Sequence, residues 1–210
     1  MAGVLYLHGF CSSAGSRKGV FLADRFATVG VDVTLPDLDE GEFRTTTLTK
    51  QLALVRRLAG DLEPSLLIGS SLGGYLAALF AAREPDAVPA VAAMAPAFDF
   101  ASRLGASLGP DLERWRRAGH RDFYHYRDQQ DARLEYGFYE DALRYEAFPD
   151  VRTPMKVLHG LGDTVVDPTL STRFAKGRPN VDLEWIETDH GMLAATSRIW
   201  ASMLAAYRGI

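Results

Sequence analysis

Five short stretches leave little room for a solvated face. Val4–His8, Val31–Leu35, Leu66–Gly69, Ala90–Ala95 and Met155–Leu158 are dominated by apolar residues and bounded by turn formers. Strands of that kind are buried on both sides, which calls for a parallel sheet covered by helices above and below. The segments between them carry helical spacing. Leu22, Phe26 and Val29 follow an i, i+4, i+7 pattern between Ser16, which can cap, and Gly30. Leu48, Leu52 and Val55 repeat it between Thr45–Thr47 and Gly60, and Leu72, Leu76 and Leu79 repeat it before Glu84-Pro85. Trp200, Leu204 and Tyr207 mark a last helix near the C-terminus. A sixth stretch, Val181–Ile186, alternates apolar residues with Asp182 and Glu184, as an edge strand does. The alternation predicts an α/β fold with about six mainly parallel strands flanked by helices.

The rhythm breaks between Ala97 and Asp150, where Phe98, Phe100, Trp115, Phe123, Tyr124 and Phe138 mix with many charges. Short helices are expected around Leu112 and Trp115, and through Phe138, Ala142 and Tyr145. Two readings of this insertion stay open. A lid would be apolar beneath and wet outside; a helical excursion would complete the core instead. The 210 residues, 47% of them apolar, suit one domain over residues 1–210 with the insertion at about 97–150.

The net charge of −4, with acids and bases interspersed, excludes a nucleic-acid footprint. Cys11 is the only cysteine, so no intramolecular disulfide can form, and a small apolar filler is its expected role. The segment MAGVLYLHGF lacks the basic start of a leader peptide, and no apolar run approaches the length of about 20 residues that spans a bilayer. A soluble, cytoplasmic protein without membrane partners is expected. Nothing in the sequence specifies an oligomeric state.

Chemistry concentrates in LIGSSLGGYLA, Leu67–Ala77. The pattern Gly-x-Ser-x-Gly is met only with Ser71 at its centre, flanked by Gly69 and Gly73; centring on Ser70 would put Ile68 and Leu72 at the small positions. At a strand-to-helix junction this is a nucleophile elbow, where the chain doubles back and only small neighbours fit. Ser70 is then a bystander. A serine hydroxyl needs a base, and His190, in ETDHGM beyond the last strand, is placed to supply it. The base needs an acid to fix its tautomer. Asp163, in HGLGDTVVD after the strand Met155–Leu158, is preferred; Asp167 is the near competitor and Asp99 a more distant one. The order Ser…Asp…His matches the α/β-hydrolase arrangement.

The backbone N–H groups of Phe10, after the first strand, and Leu72, at a helix start, are the candidate oxyanion donors. His8 and His159 read as supports for the loops that carry Phe10 and Asp163. His120 and His125 are five apart, off the spacing that pairs imidazoles on one helical face, and no HExxH occurs, so no metal site is expected. Phosphate-binding glycine fingerprints are missing too. A ligand-binding protein on the same scaffold, a peptidase and a carbon–carbon hydrolase remain alternatives with the same triad.

The stretches YLHGFCSSAGSRKG (Tyr6–Gly19) and LIGSSLGGYLA, with GDTVVD (Gly162–Asp167) and DHGM (Asp189–Met192), resemble the α/β-hydrolase superfamily and within it the small bacterial YqiA-like esterases. The resemblance implies a minimal, parallel version of that fold. It further implies hydrolysis of small carboxylic esters or thioesters, a small-molecule substrate and no cofactor.

Overall fold

A computed structural model describes residues 3–209. Its main sheet holds β1 (Val4–Leu7), β2 (Val33–Thr34), β3 (Leu66–Ser70), β4 (Ala90–Met94), β7 (Met155–Gly160) and β8 (Val181–Ile186). The strands lie in the order β2-β1-β3-β4-β7-β8, and every neighbouring pair is parallel. β8 lies at one edge, as its alternation predicts. β2, at the other edge, is shorter than the expected Val31–Leu35, because only Val33 and Thr34 pair with β1.

Alternate residues of each strand feed two separate cores. Leu5, Leu7, Leu67, Val91, Ala93 and Val157 face α2 (Leu48–Leu62) and α3 (Leu72–Arg83). Val4, Tyr6, Ile68, Ala92 and Leu158 face Leu22 and Phe26 of α1 (Arg17–Ala27) and Ile199 and Met203 of α8 (Thr196–Arg208). α3 is buried along nearly its whole length, as suits a helix apolar on every face. α1 starts where expected, with the Ser16 hydroxyl accepting from the Gly19 N–H.

The segment between β4 and β7 holds α4 (Phe100–Leu108), α5 (Pro110–Ala118), an antiparallel hairpin of β5 (His120–His125) and β6 (Gln130–Glu135), and α6 (Gly137–Ala142). The hairpin and α4 go beyond the two short helices expected from sequence. In β5 the inward positions are Arg121, Phe123 and His125, two of them polar, so the alternation of burial is not an alternation of hydrophobicity. The turn, Tyr126 to Gln129, lacks the usual Asn-Gly signal, and Gln129 adopts positive φ without being glycine. Trp115, Leu134, Phe138 and Tyr139 are buried and join the core beneath α2 and α3. The Trp115 indole N–H donates to the Leu134 carbonyl at 3.1 Å, which leaves no buried donor unpaired on that side chain.

Because the strands are parallel, the loops after β1, β3, β7 and β8 all emerge at one end of the sheet, where ligands bind in open parallel sheets.

Candidate active site

Ser71 stands alone between β3 and α3, with φ 56° and ψ −119°. A side chain at positive φ is strained, and such strain persists only where the surroundings hold it. Here the Ser71 N–H donates to the Met94 carbonyl at 2.9 Å, and the Ser71 carbonyl accepts from Tyr75 and Ala97 at 3.1 and 3.0 Å. The glycines are sterically required. A Cβ on Gly69 would sit 2.2 Å from the Gly73 carbonyl oxygen, and one on Gly73 would sit 2.2 Å from the Leu7 carbonyl oxygen. Both obstacles are backbone, so neither can swing aside. Gly69→Ala is therefore expected to lower stability by about 3 kcal/mol, at the upper end for overpacked sites. Gly60→Ala, on the exposed side of α2 with nothing within 4 Å of its Cβ, is expected to raise it by about 0.5–1 kcal/mol. Urea unfolding of both variants checks the contrast.

Ser70 ends β3, is buried, and hydrogen-bonds Tyr6. Burial pushes the Tyr6 phenol up to about 12, against the hydrogen bonds from Ser16 and Ser70. Ser70 also lines the cleft that holds Ser71.

Asp163 follows β7 with its carboxylate fully buried. Oδ1 accepts from the Val165 and Val166 N–H groups at 2.9 and 2.8 Å. Oδ2 lies 2.7 Å from His190 Nδ1 and 3.2 Å from His159 Nε2. Burial by itself raises the carboxyl pKa, but the hydrogen bonds from His159, His190 and the Val166 N–H hold it well below the usual carboxylate range. His190 therefore carries its proton on Nδ1 and presents Nε2 as an acceptor. His159 is fully buried; its Nε2 also faces the Val166 carbonyl at 3.1 Å, and its Nδ1 faces the Ser171 hydroxyl at 2.7 Å. Two acceptors at Nε2 require the proton there, so Ser171 donates to Nδ1. His159 thus supports the Asp163 turn, and Ser171, which nothing in the sequence marks, supports His159.

The competing carboxylates lie elsewhere. Asp167 accepts from the Thr169 N–H at 2.9 Å at the start of α7 (Thr169–Ala175). Pro168 stands immediately before that helix. Asp99 precedes α4 with positive φ.

Phe10 lies in the turn after β1 and Leu72 begins α3. Among the described residues neither N–H donates to another protein group. Gly9 lets this turn close on the elbow, since a Cβ there would meet Ser71 Cβ at 3.3 Å. His8 accepts from the Leu38 N–H at Nε2, 3.0 Å, and Nδ1 lies 3.0 Å from the Gly9 carbonyl. Burial pushes its pKa down, so His8 is a neutral brace for the loop. Cys11 is buried, and its thiol pKa is pushed up by burial.

Ser71, His190 and Phe10 line one cleft of about 650 Å³. Its remaining walls include Phe100, Leu104, Phe123 and Tyr124 from the insertion, and Lys18 from α1. Lys18 was not legible in the sequence, because its neighbour His190 is 172 positions away. His120 is exposed on the hairpin, while His125 is buried and lies 2.8 Å from Asp128. Among the described residues no group of three His, Cys, Asp or Glu could hold a metal ion, and no helix is long and apolar enough to cross a membrane.

A family model described as "Uncharacterised protein family (UPF0227)" matches residues 3–205. The human mitochondrial palmitoyl-protein thioesterase ABHD10 is 25% identical over 211 positions, covering 90% of this chain and 67% of its own. Mouse alpha/beta hydrolase domain-containing protein 10 superposes with a TM-score of 0.76 at 22% identity, covering 99% of this chain and 90% of that one. Est1E from Butyrivibrio proteoclasticus, solved with ferulic acid bound, gives 0.78 at 21% identity, again over 99% and 90%. The overall fold is that of the α/β hydrolases.

Proposed function

Because the chain belongs to the UPF0227 family, within the α/β-hydrolase superfamily, we propose that it is a serine hydrolase cleaving small carboxylic esters or thioesters. The observation that carries this reading is the composition of one cleft: it is lined by a strained serine at an elbow and by a histidine whose Nδ1 is 2.7 Å from a buried carboxylate. The thioesterase name of the human relative agrees with it.

In this reading Ser71 Oγ attacks the ester carbonyl while His190 Nε2 takes its proton. The oxyanion that forms is held by the Phe10 and Leu72 N–H groups. Collapse expels the alkoxide or thiolate, which takes the proton back from His190 and leaves an acyl group on Ser71. Water, deprotonated by His190, then releases the acid and restores the enzyme. Asp163 keeps the imidazole oriented and stabilises imidazolium. No step draws on a metal or an organic cofactor. The insertion serves as a lid over the acyl pocket, supported by the Phe100, Leu104 and Phe123 side chains that line it. We place the protein in the cytoplasm, in keeping with its single, buried and unpaired cysteine.

A fluorophosphonate probe tests the reading. The expected result is one adduct, on the peptide carrying Ser71, formed at a rate that competing ester slows. An unlabelled protein that still binds small molecules in the cleft would instead make it a ligand-binding protein on this scaffold.

A further inference from the structure

Resting on the serine-hydrolase reading, we propose that the cleft selects esters bearing a negative charge, a carboxylate or a phosphate, bound by Lys18 with Arg103 as the second cation. Two charged side chains line the cleft, and both are basic. The chain as a whole carries −4. Its overall field therefore opposes the approach of an anion, and an anionic substrate has to be recognised by cations placed locally.

Lys18 is half-buried, and its ammonium donates to the His190 carbonyl at 3.2 Å. An ammonium has three donors, and this is the one hydrogen bond it makes among the described residues. No carboxylate among those residues lies within ion-pairing distance of it. The nearby acids that favour its charge are Asp163 and Asp189. Asp163 is occupied by two backbone N–H groups and two imidazoles, and Asp189 Oδ1 accepts from the Met192 N–H at 2.9 Å. Loss of hydration on burial lowers the Lys18 pKa to about 8. A ligand oxyanion would restore what that ammonium lost. Arg103 spends one guanidinium nitrogen on the Val165 carbonyl and keeps further donors. The cleft is also lined by the polar Tyr6, Ser16 and Ser70, and the insertion contributes Phe100, Leu104 and Phe123 together with Arg103. A substrate with one charged and one apolar portion fits this mixed lining.

The test compares size-matched esters: phenyl butyrate with its 4-carboxy and 4-phosphonooxy derivatives, and dimethyl succinate with monomethyl succinate. Each rate is divided by that for alkaline hydrolysis. The wild type is expected to favour an anionic member in at least one series. Lys18→Met is expected to reduce that preference about 10- to 100-fold, mostly through KM, as loss of a charged hydrogen bond does, and Lys18→Arg to restore part of it. Arg103→Met should reduce it less. The carboxylate and phosphate arms identify which anion is bound. An unchanged ratio in Lys18→Met, even if all rates fall together, would overturn the proposal and leave Lys18 as a brace for the His190 loop. So would preference for the neutral ester in every series. Calorimetric titration of Ser71→Ala with the neutral ester and the anionic member that the wild type favours reads selection without turnover, and equal or weaker binding of that anion also overturns it. Failure of fluorophosphonate labelling sinks the hydrolase reading separately.

Discussion

Ser71→Ala is expected to lower ester turnover by about a million-fold in kcat, the loss seen when a triad nucleophile is removed, while Ser70→Ala keeps most of it. The two hydroxyls are adjacent in sequence but not in environment. Both line the cleft, but Ser71 stands at positive φ ahead of α3, whereas Ser70 is the last residue of a strand and bonds Tyr6. Alanine at position 71 leaves the backbone bonds to Met94, Tyr75 and Ala97 intact, so the fold should survive. Steady-state kinetics with a fluorophosphonate control settles the assignment. Labelling that persists in Ser71→Ala and disappears in Ser70→Ala would reverse it.

Asp163→Asn is expected to lower kcat by about 10⁴-fold, the scale for a triad carboxylate converted to its amide. The hydrogen-bond pattern explains why no orientation of the amide works. With its NH₂ toward the histidines it meets the N–H groups of His190 and His159; reversed, it meets those of Val165 and Val166. His190 then adopts the tautomer that cannot accept from Ser71. Asp167→Asn should change activity little, because its acceptor role toward the Thr169 N–H passes to the asparagine carbonyl. Near-normal Asp163→Asn beside inactive Asp167→Asn would refute the assignment.

The same carboxylate links stability to pH. Its folded pKa is depressed, so its contribution is present above the unfolded value of about 3.9 and is lost as pH falls through the folded value. The difference in thermal midpoint between wild type and Asp163→Asn should therefore be largest near neutrality and shrink in acid.

Sequence alone determined the parallel sheet, because strands buried on both faces must be apolar throughout and the segments between them repeat apolar residues at helical spacing. It also determined the elbow, since Gly69 and Gly73 occupy positions where any Cβ would strike backbone. These are local constraints, written within a few residues of where they act. The hairpin Tyr126 turn and its strands were not written that way: Arg121 and His125 face inward, and their polarity hides the alternation. Nor could sequence show that the second imidazole on Asp163 is His159, held in turn by Ser171. Least visible of all was Lys18, brought to His190 across 172 positions. Which side chains share a cleft depends on strand order, and here that order places β1 beside β3, and β7 beside β8. Parallel strands carry all their loops to one end, so residues far apart in the chain become neighbours only once the sheet is assembled.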